Sequence, residues 1–191
     1  MVEGKEESIV ATMMECFTVL ALSALVMGPV VLAQAPSDDT LKLPGGDRAF
    51  VAQTEHSGTM EGELSKLALR NSGNERVKRF AQRMIDDRAK LEDGLVRAAK
   101  DQGVRVVPGL MPYQKTTIDW MARLKGIAFD REYMQLAVMD ERSMRDEFQV
   151  EAEKGRVPAL RGLAQTTLPT LENDLQDGVR ARLQLSSADA S

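Results

Sequence analysis

The sequence predicts an all-α protein, an antiparallel four-helix bundle with one short extra helix, and three observations support this. Apolar residues recur at three- and four-residue steps through four long segments, which is the spacing of a helix with one buried face. No segment alternates apolar and polar residues as a half-buried strand does. Glycine and proline separate the segments, as they do at the ends of helices. Four amphipathic helices joined by short loops bury their apolar faces best against one another.

The first two helices are predicted to follow one another closely. We expect the first over about 48–70 with Asp47 as its cap, and the second from the cap residue Asn74 to Gln102 with Gly103 as its stop. The second helix carries a continuous apolar stripe at helical spacing: Val77, Phe80, Ala81, Met84, Leu91, Leu95 and Ala98. This stripe is typical of a helix that packs on one face.

A loop and a short helix are predicted to lead from the second long helix to the next one. The loop covers residues 103–112 and contains two prolines and two glycines. The short helix, Tyr113–Lys125, is expected to cross between the long helices or cap them. We interpret its Trp120 and Met121 as packing residues and not as a cofactor site.

The last two long helices complete a bundle domain predicted over residues 47–185, with a disordered tail over 186–191. One helix is expected over Ala128–Lys154. The other begins at Pro158 and is expected to break or kink before Pro169, because a proline ring inside a helix clashes with the preceding turn.

The N-terminal segment predicts export. Residues Phe17–Ala33 contain no charge and end in small residues, as a secretory signal does, and a polar linker follows over 34–46. We therefore predict a signal peptide over residues 1–33, cleaved after Ala33 or Ala35, and a location in the periplasm or cell envelope. An uncleaved membrane anchor or a buried helix would also fit this segment. After processing we expect no stable membrane span.

Composition and charge exclude several kinds of function. The chain has 25 Lys and Arg against 29 Asp and Glu, so it lacks the concentrated positive charge of a nucleic-acid binding protein. The basic run Arg76, Lys78, Arg79 and Arg83 is interpreted as a solvated helix face. The sole cysteine lies in the predicted leader, so the processed domain has neither disulfides nor zinc–thiolate sites.

Catalytic residues are not predicted. His56 is the single histidine of the chain, and it lies off the apolar stripe of the first helix, where we expect it to be solvated. Neither Ser-His-Asp nor Cys-His catalysis has a plausible set of residues, and no glycine-rich phosphate loop is present. The sequence therefore favours a protein without enzymatic activity.

Each long helix has a polar interruption in its apolar stripe, and these are the most informative positions. They are Glu61 on the first helix, Arg88 on the second, Asp140 and Glu141 on the fourth, and Asp174 on the last. Helix bundles build metal and cofactor sites from inward side chains of this kind.

Two interpretations of these residues compete. In one, Glu61, Glu141 and Asp174 supply oxygen ligands for a divalent metal. In the other, all five residues form a buried charged network in which Arg88 is the counter-ion of the carboxylates. Arg88 favours the network, since a permanent cation competes with a metal ion for the same negative charge. The chain also lacks any Glu-x-x-His motif of a di-iron site. We therefore expect no cofactor and retain a divalent metal as the alternative.

Four segments resemble, in order and spacing, the bacterial family called "domain of unknown function 4142": GTMEGELSKLAL, NERVKRFAQRMIDDRAK, FDREYMQLAV and LAQTTLPTLENDL. The resemblance covers about residues 48–180 and implies a ferritin-like fold and export. Members of the family typically show glutamate at the position of Glu61, and histidine at those of Arg88, Glu141 and Asp174. All three histidines are replaced here, so metal or proton chemistry that depends on them has no counterpart in this chain. The family name implies no activity.

The sequence as a whole therefore predicts an exported, non-enzymatic helical bundle that acts as a binding or stress-related module. Its core is expected to hold the buried charged network. The alternative is a metal-binding or redox protein that uses the core carboxylates. The sequence predicts no nucleic-acid partner and points to no particular protein or small ligand.

Overall fold

Five helices account for most of residues 43–188, the part of the chain that the computed structural model describes. This part contains no strand, so the predicted all-α helical bundle is confirmed. The predicted signal peptide and residues 34–42 of the predicted linker lie outside the described residues. The helices are α1 (Gly45–Asn71), α2 (Glu75–Lys100), α3 (Pro112–Met121), α4 (Gly126–Lys154) and α5 (Pro158–Ala188).

The four long helices form a ring in which neighbours run in opposite directions. Helix α1 packs against α2 and α4, and α5 packs against the same two helices. Contacts between α1 and α4 pair Phe50 with Phe148 and Ser65 with Tyr133, so residue numbers rise along one helix as they fall along the other. Contacts between α2 and α5 run in the same opposed way. Helices α2 and α4 are therefore parallel, and one long crossover containing α3 joins them. A ferritin-like fold, which also has one crossover, stays a prediction.

Helix α2 has the predicted cap, whereas α1 does not. The Asn74 side chain accepts hydrogen bonds from the backbone N–H groups of Arg76 and Val77, at 2.9 and 3.4 Å. Helix α1 begins at Gly45, before Asp47, so the prediction that Asp47 caps it is wrong. The buried Asp47 carboxylate instead accepts from the backbone N–H groups of Arg156 and Val157, at 2.9 and 2.7 Å. Asp47 thereby holds the turn that precedes α5 against α1.

Two predictions about helix continuity are also corrected. Helix α5 passes through Pro169 without the predicted break, whereas a kink at this residue stays a prediction. The proline is exposed, and the buried residues Ala164 and Leu171 precede and follow it on the helix. The packing of these two residues outweighs the cost of about 3 kcal/mol for a proline inside a helix. Helix α3 covers Pro112–Met121 and ends before the predicted Lys125. Met121 is buried, whereas Trp120 is 43% exposed and is not a core residue.

The apolar core consists of two clusters, one towards each end of the bundle. The cluster near the α1–α2 turn contains Leu64, Phe80, Met84, Phe129 and Tyr133 among others. The cluster near the α4–α5 turn is built from side chains that include Phe50, Leu91, Leu95, Phe148 and Leu171. All seven predicted stripe residues of α2 are buried in these clusters. Across residues 43–188, none of the helices has the length and apolar character that a bilayer crossing requires.

Candidate functional site: a charged layer between the two apolar clusters

One layer of charged side chains crosses the bundle between the two apolar clusters. On each long helix, the charged residue lies three or four positions from a buried apolar residue, so its side chain points inward. Glu61, Arg88, Glu141 and Asp174 are 3%, 6%, 0% and 2% exposed, while Asp140 is half-buried. Charges are rarely buried to this extent unless they are paired.

Arg88 links α1 to α4 across this layer. Its Nη2 and Nε atoms donate to the Oε2 atom of Glu61 at 2.8 and 3.2 Å. The same Nη2 atom donates to Oε1 of Glu141. Burial alone would lower the pKa of Arg88, but the adjacent charges of Glu61 and Glu141 together outweigh it and raise the pKa. Arg88 is therefore a permanent cation held between two carboxyl groups.

The layer contains more carboxyl groups than arginine can neutralise. Burial, followed by the charge of Glu61, raises the pKa of Glu141 to about 9. Burial is also the main cause that raises the pKa of Asp140, to which the charge of Glu61 and a hydrogen bond with it add. Glu141 is therefore protonated at neutral pH, and for Asp140 the same two causes favour the protonated form. Arg88 and protons bound by these carboxyl groups together offset the negative charge of the layer.

Asp174 lies in the same layer but has a different partner. Its Oδ1 atom is 3.3 Å from Nε of Arg83, whose Nη2 atom is 2.7 Å from Asp177. Burial raises the pKa of Asp174 to about 6, and the charge of Asp87 adds to the effect. The structure thus brings Glu61, Arg88 and Glu141 into direct contact and pairs Asp174 with Arg83. Arg83 was missed in the sequence because it belongs to a basic run that resembles an ordinary solvated face.

Several carboxylate oxygens in the layer have no hydrogen-bond partner among the described residues. They are buried atoms, one each on Glu61, Asp140, Glu141 and Asp174. Glu61 and Asp140 also line a cavity of about 250 Å³ between α1, α3 and α4. Its other lining side chains combine polar groups with apolar walls: Gln53, Ser57, Met60, Leu64, Tyr113, Gln114, Tyr133, Leu136, Ala137, Met139 and Ser143. An unpaired buried oxygen is costly, and two of these four oxygens belong to residues of the cavity wall.

Residues outside the predicted set hold the walls of this cavity in place. The hydroxyl groups of Tyr133 and Ser65 are hydrogen-bonded at 2.9 Å, which fixes the Tyr133 ring. Gln114 is buried, and its amide group bonds both to the backbone N–H of Met111 and to the backbone carbonyl of His56. It thereby positions α3 over the cavity. Neither Tyr133 nor Gln114 carries a sequence signal beyond a stripe position or an ordinary polar residue.

His56 is less exposed than the solvated side chain that the sequence predicts. It is half-buried, and its Nδ1 atom donates to the backbone carbonyl of Gly109 at 3.0 Å. The histidine therefore helps to fasten the crossover loop to α1. No local pattern indicates this contact, because the two residues lie far apart in the chain.

The structure shows where the predicted metal ligands lie, but it does not test whether they bind a metal. Arg88 occupies the position between Glu61 and Glu141, and Asp174 faces Arg83. Within residues 43–188, no group of three or more His, Cys, Asp or Glu side chains has an arrangement suited to a metal ion. A metal bound by Glu61, Glu141 and Asp174 stays a prediction.

Comparison with known proteins adds a family but no activity. A sequence model of the family described as "Domain of unknown function (DUF4142)" matches residues 32–180. No curated protein and no solved structure matches the chain. The family match covers all four long helices up to residue 180, including the whole charged layer.

Proposed function

The chain belongs to this family, and we propose that it is an exported, non-enzymatic binding module of the periplasm or cell envelope that takes up a small organic cation. The observation that carries the proposal is that Glu61 and Asp140, which both line the cavity, each have a buried oxygen without a hydrogen-bond partner among the described residues. Export is supported by the uncharged segment Phe17–Ala33 and its small terminal residues.

Burial and the charge of Glu61 favour the protonated form of Asp140, and a cation in the cavity would take the place of that proton. An ammonium group has three donors, which suit the free oxygens of both residues and a neighbouring hydroxyl such as that of Ser57. Asp140 would then release its proton to solvent, and the charge of the layer would remain balanced. Met60 and Leu136 offer contact to a short alkyl group. The cavity volume of about 250 Å³ limits the ligand to a small molecule.

Isothermal titration calorimetry with n-butylammonium tests this proposal, with n-butanol as the uncharged control. We expect butylammonium to bind and butanol to bind at least tenfold more weakly, since a buried charged hydrogen bond is worth about 1.5–3 kcal/mol. Titrations in buffers of different ionisation enthalpy should show a proton released on binding. Asp140→Asn should abolish the proton release and weaken binding.

Asp146→Asn is the matched control, because Asp146 lies on the same helix, is exposed and does not line the cavity. This variant should bind butylammonium as the parent does. Equal binding of butanol and butylammonium, or unchanged binding by Asp140→Asn, would contradict the proposal.

A second candidate, binding of a divalent metal, rests on one observation. Glu61, Glu141 and Asp174 each have one buried oxygen without a hydrogen-bond partner in the described structure, and carboxylate oxygens are ligands for hard cations. Elemental analysis of the purified protein decides between the two candidates. Stoichiometric metal that is lost in Glu61→Ala would support the metal site and overturn the organic-cation site.

A further inference from the structure

A recess lined by four arginines lies between α2 and α5, outside the charged layer. Its volume is about 370 Å³. Arg76, Arg79 and Arg83 come from α2, and Arg180 comes from α5. Asp177 is the single acidic residue of the lining. The basic run that the sequence presents as one solvated helix face is therefore one wall of a concave, strongly positive site.

Neighbouring side chains hold three of the four guanidinium groups in place. Arg83 lies over the Phe80 ring, 5.6 Å from its centre, and its Nη2 atom is 2.7 Å from Asp177. Arg180 pairs with the other oxygen of Asp177. Arg76 donates to the side-chain oxygen of Gln184. Groups that are already positioned lose less conformational freedom when they bind a ligand.

Arg79 is the fourth arginine of the recess. It is exposed and makes neither a hydrogen bond nor an ion pair with any described residue. Its guanidinium group thus keeps its donors available beside three others, while two carboxylates, Asp177 and the Asp174 partner of Arg83, offset the charge of the four arginines. Adjacent like charges repel, so an anion bound among the arginines would relieve this repulsion.

We propose that this recess binds a phosphate-class oxyanion, either free or as the headgroup of an acidic phospholipid. The planar fork of arginine matches the oxygens of a phosphate group in a bidentate manner, and clusters of arginine are typical of phosphate recognition. The recess is separate from the cavity at Glu61 and Asp140, so this inference is independent of the proposed function.

Binding of inorganic pyrophosphate to the full chain, measured by calorimetry, tests the free form of the ligand. Co-sedimentation with phosphatidylcholine vesicles, with and without phosphatidic acid, tests the lipid form. The affinity should fall as salt is raised. Arg79→Gln and Arg180→Gln should each weaken binding about tenfold, as expected for loss of a charged hydrogen bond. Both residues are exposed, so both variants should keep the parental circular dichroism spectrum.

Arg97→Gln and Arg182→Gln are the matched controls. They make the same change in net charge on the same two helices, but neither residue lines the recess. Pyrophosphate binding, vesicle binding or both, lost in the recess variants and kept in the controls, supports the proposal and identifies the source of the anion. Absence of binding to both probes, or an equal loss in recess and control variants, overturns it.

Discussion

Replacing Arg88 by methionine is the sharpest perturbation of the charged layer. Methionine keeps an apolar stem of similar length and removes only the cation. The Glu61 carboxylate then loses its two hydrogen bonds of 2.8 and 3.2 Å, and Glu141 loses its contact with Nη2. Both carboxyl groups stay buried in the middle of the bundle.

The expected cost follows from the burial of these partners. Removing one member of a buried ion pair destabilises a protein by about 3–5 kcal/mol, because the remaining charge is stranded. Glu61 loses both its counter-ion and two hydrogen bonds, so at pH 8 we expect the free energy of unfolding to fall by about 4 kcal/mol.

Urea unfolding followed by circular dichroism measures this loss. With an m-value of roughly 2 kcal/mol/M, a loss of about 4 kcal/mol lowers the midpoint by roughly 2 M. Lys90→Met is the matched control, because Lys90 lies on the same helix in an ion pair with Asp87 and its side chain is 75% exposed. That exposed pair should contribute no more than about 1 kcal/mol. Adding Glu61→Gln to Arg88→Met should restore part of the loss. If Arg88→Met unfolds at the parental midpoint at pH 8, the reasoning is refuted.

Three further predictions concern pH and the ends of helices. The free energy of unfolding should fall as pH rises from 5 to 9, because the folded pKa of Glu141, about 9, exceeds its ordinary value of 4.5 and the folded state therefore binds more protons. Glu141→Gln should flatten this profile in urea titrations by up to about 1.4 kcal/mol per pH unit, and an unchanged slope would contradict the assignment. Asn74→Ala should cost about 1 kcal/mol, since it removes the cap of α2, and no change in thermal unfolding would rule out a stabilising cap. Asp47→Ala should lower the free energy of unfolding by about 2 kcal/mol, because it leaves the N–H groups of Arg156 and Val157 without their acceptor. The amide hydrogens of these two residues should then exchange faster, and unaltered exchange would show that the contact is unimportant.

Helix spacing made most of the fold predictable from the sequence. The stripe of α2 from Val77 to Ala98 is buried as expected, because a periodic apolar face has few places to go other than the core. Asn74 was predictable as a cap because its partners are its immediate neighbours in the chain. The continuous helix at Pro169 was not predictable, since the tendency of proline to break a helix is overcome by the packing of Ala164 and Leu171 on α5.

The site was only partly predictable, for reasons of distance in the chain. A polar residue in an apolar stripe, such as Glu61 or Arg88, shows that a side chain points inward, but it does not show which partner it meets. Asp174, for example, pairs with Arg83, although the pattern of α2 alone predicts that Arg83 faces solvent. Asp47 likewise meets backbone groups more than a hundred residues away. Such contacts depend on tertiary packing and leave no local pattern.

Direct observation of the Glu141 carboxyl group tests the central claim, that one arginine and bound protons together balance the charged layer. Carbon-13 NMR of protein labelled at glutamate side-chain carboxyl carbons reports the protonation state of each group across a pH titration. We expect Glu141 to be still protonated at pH 7 and to lose its proton near pH 9. A Glu141 resonance that is already ionised at pH 7 and titrates near 4.5 would contradict it.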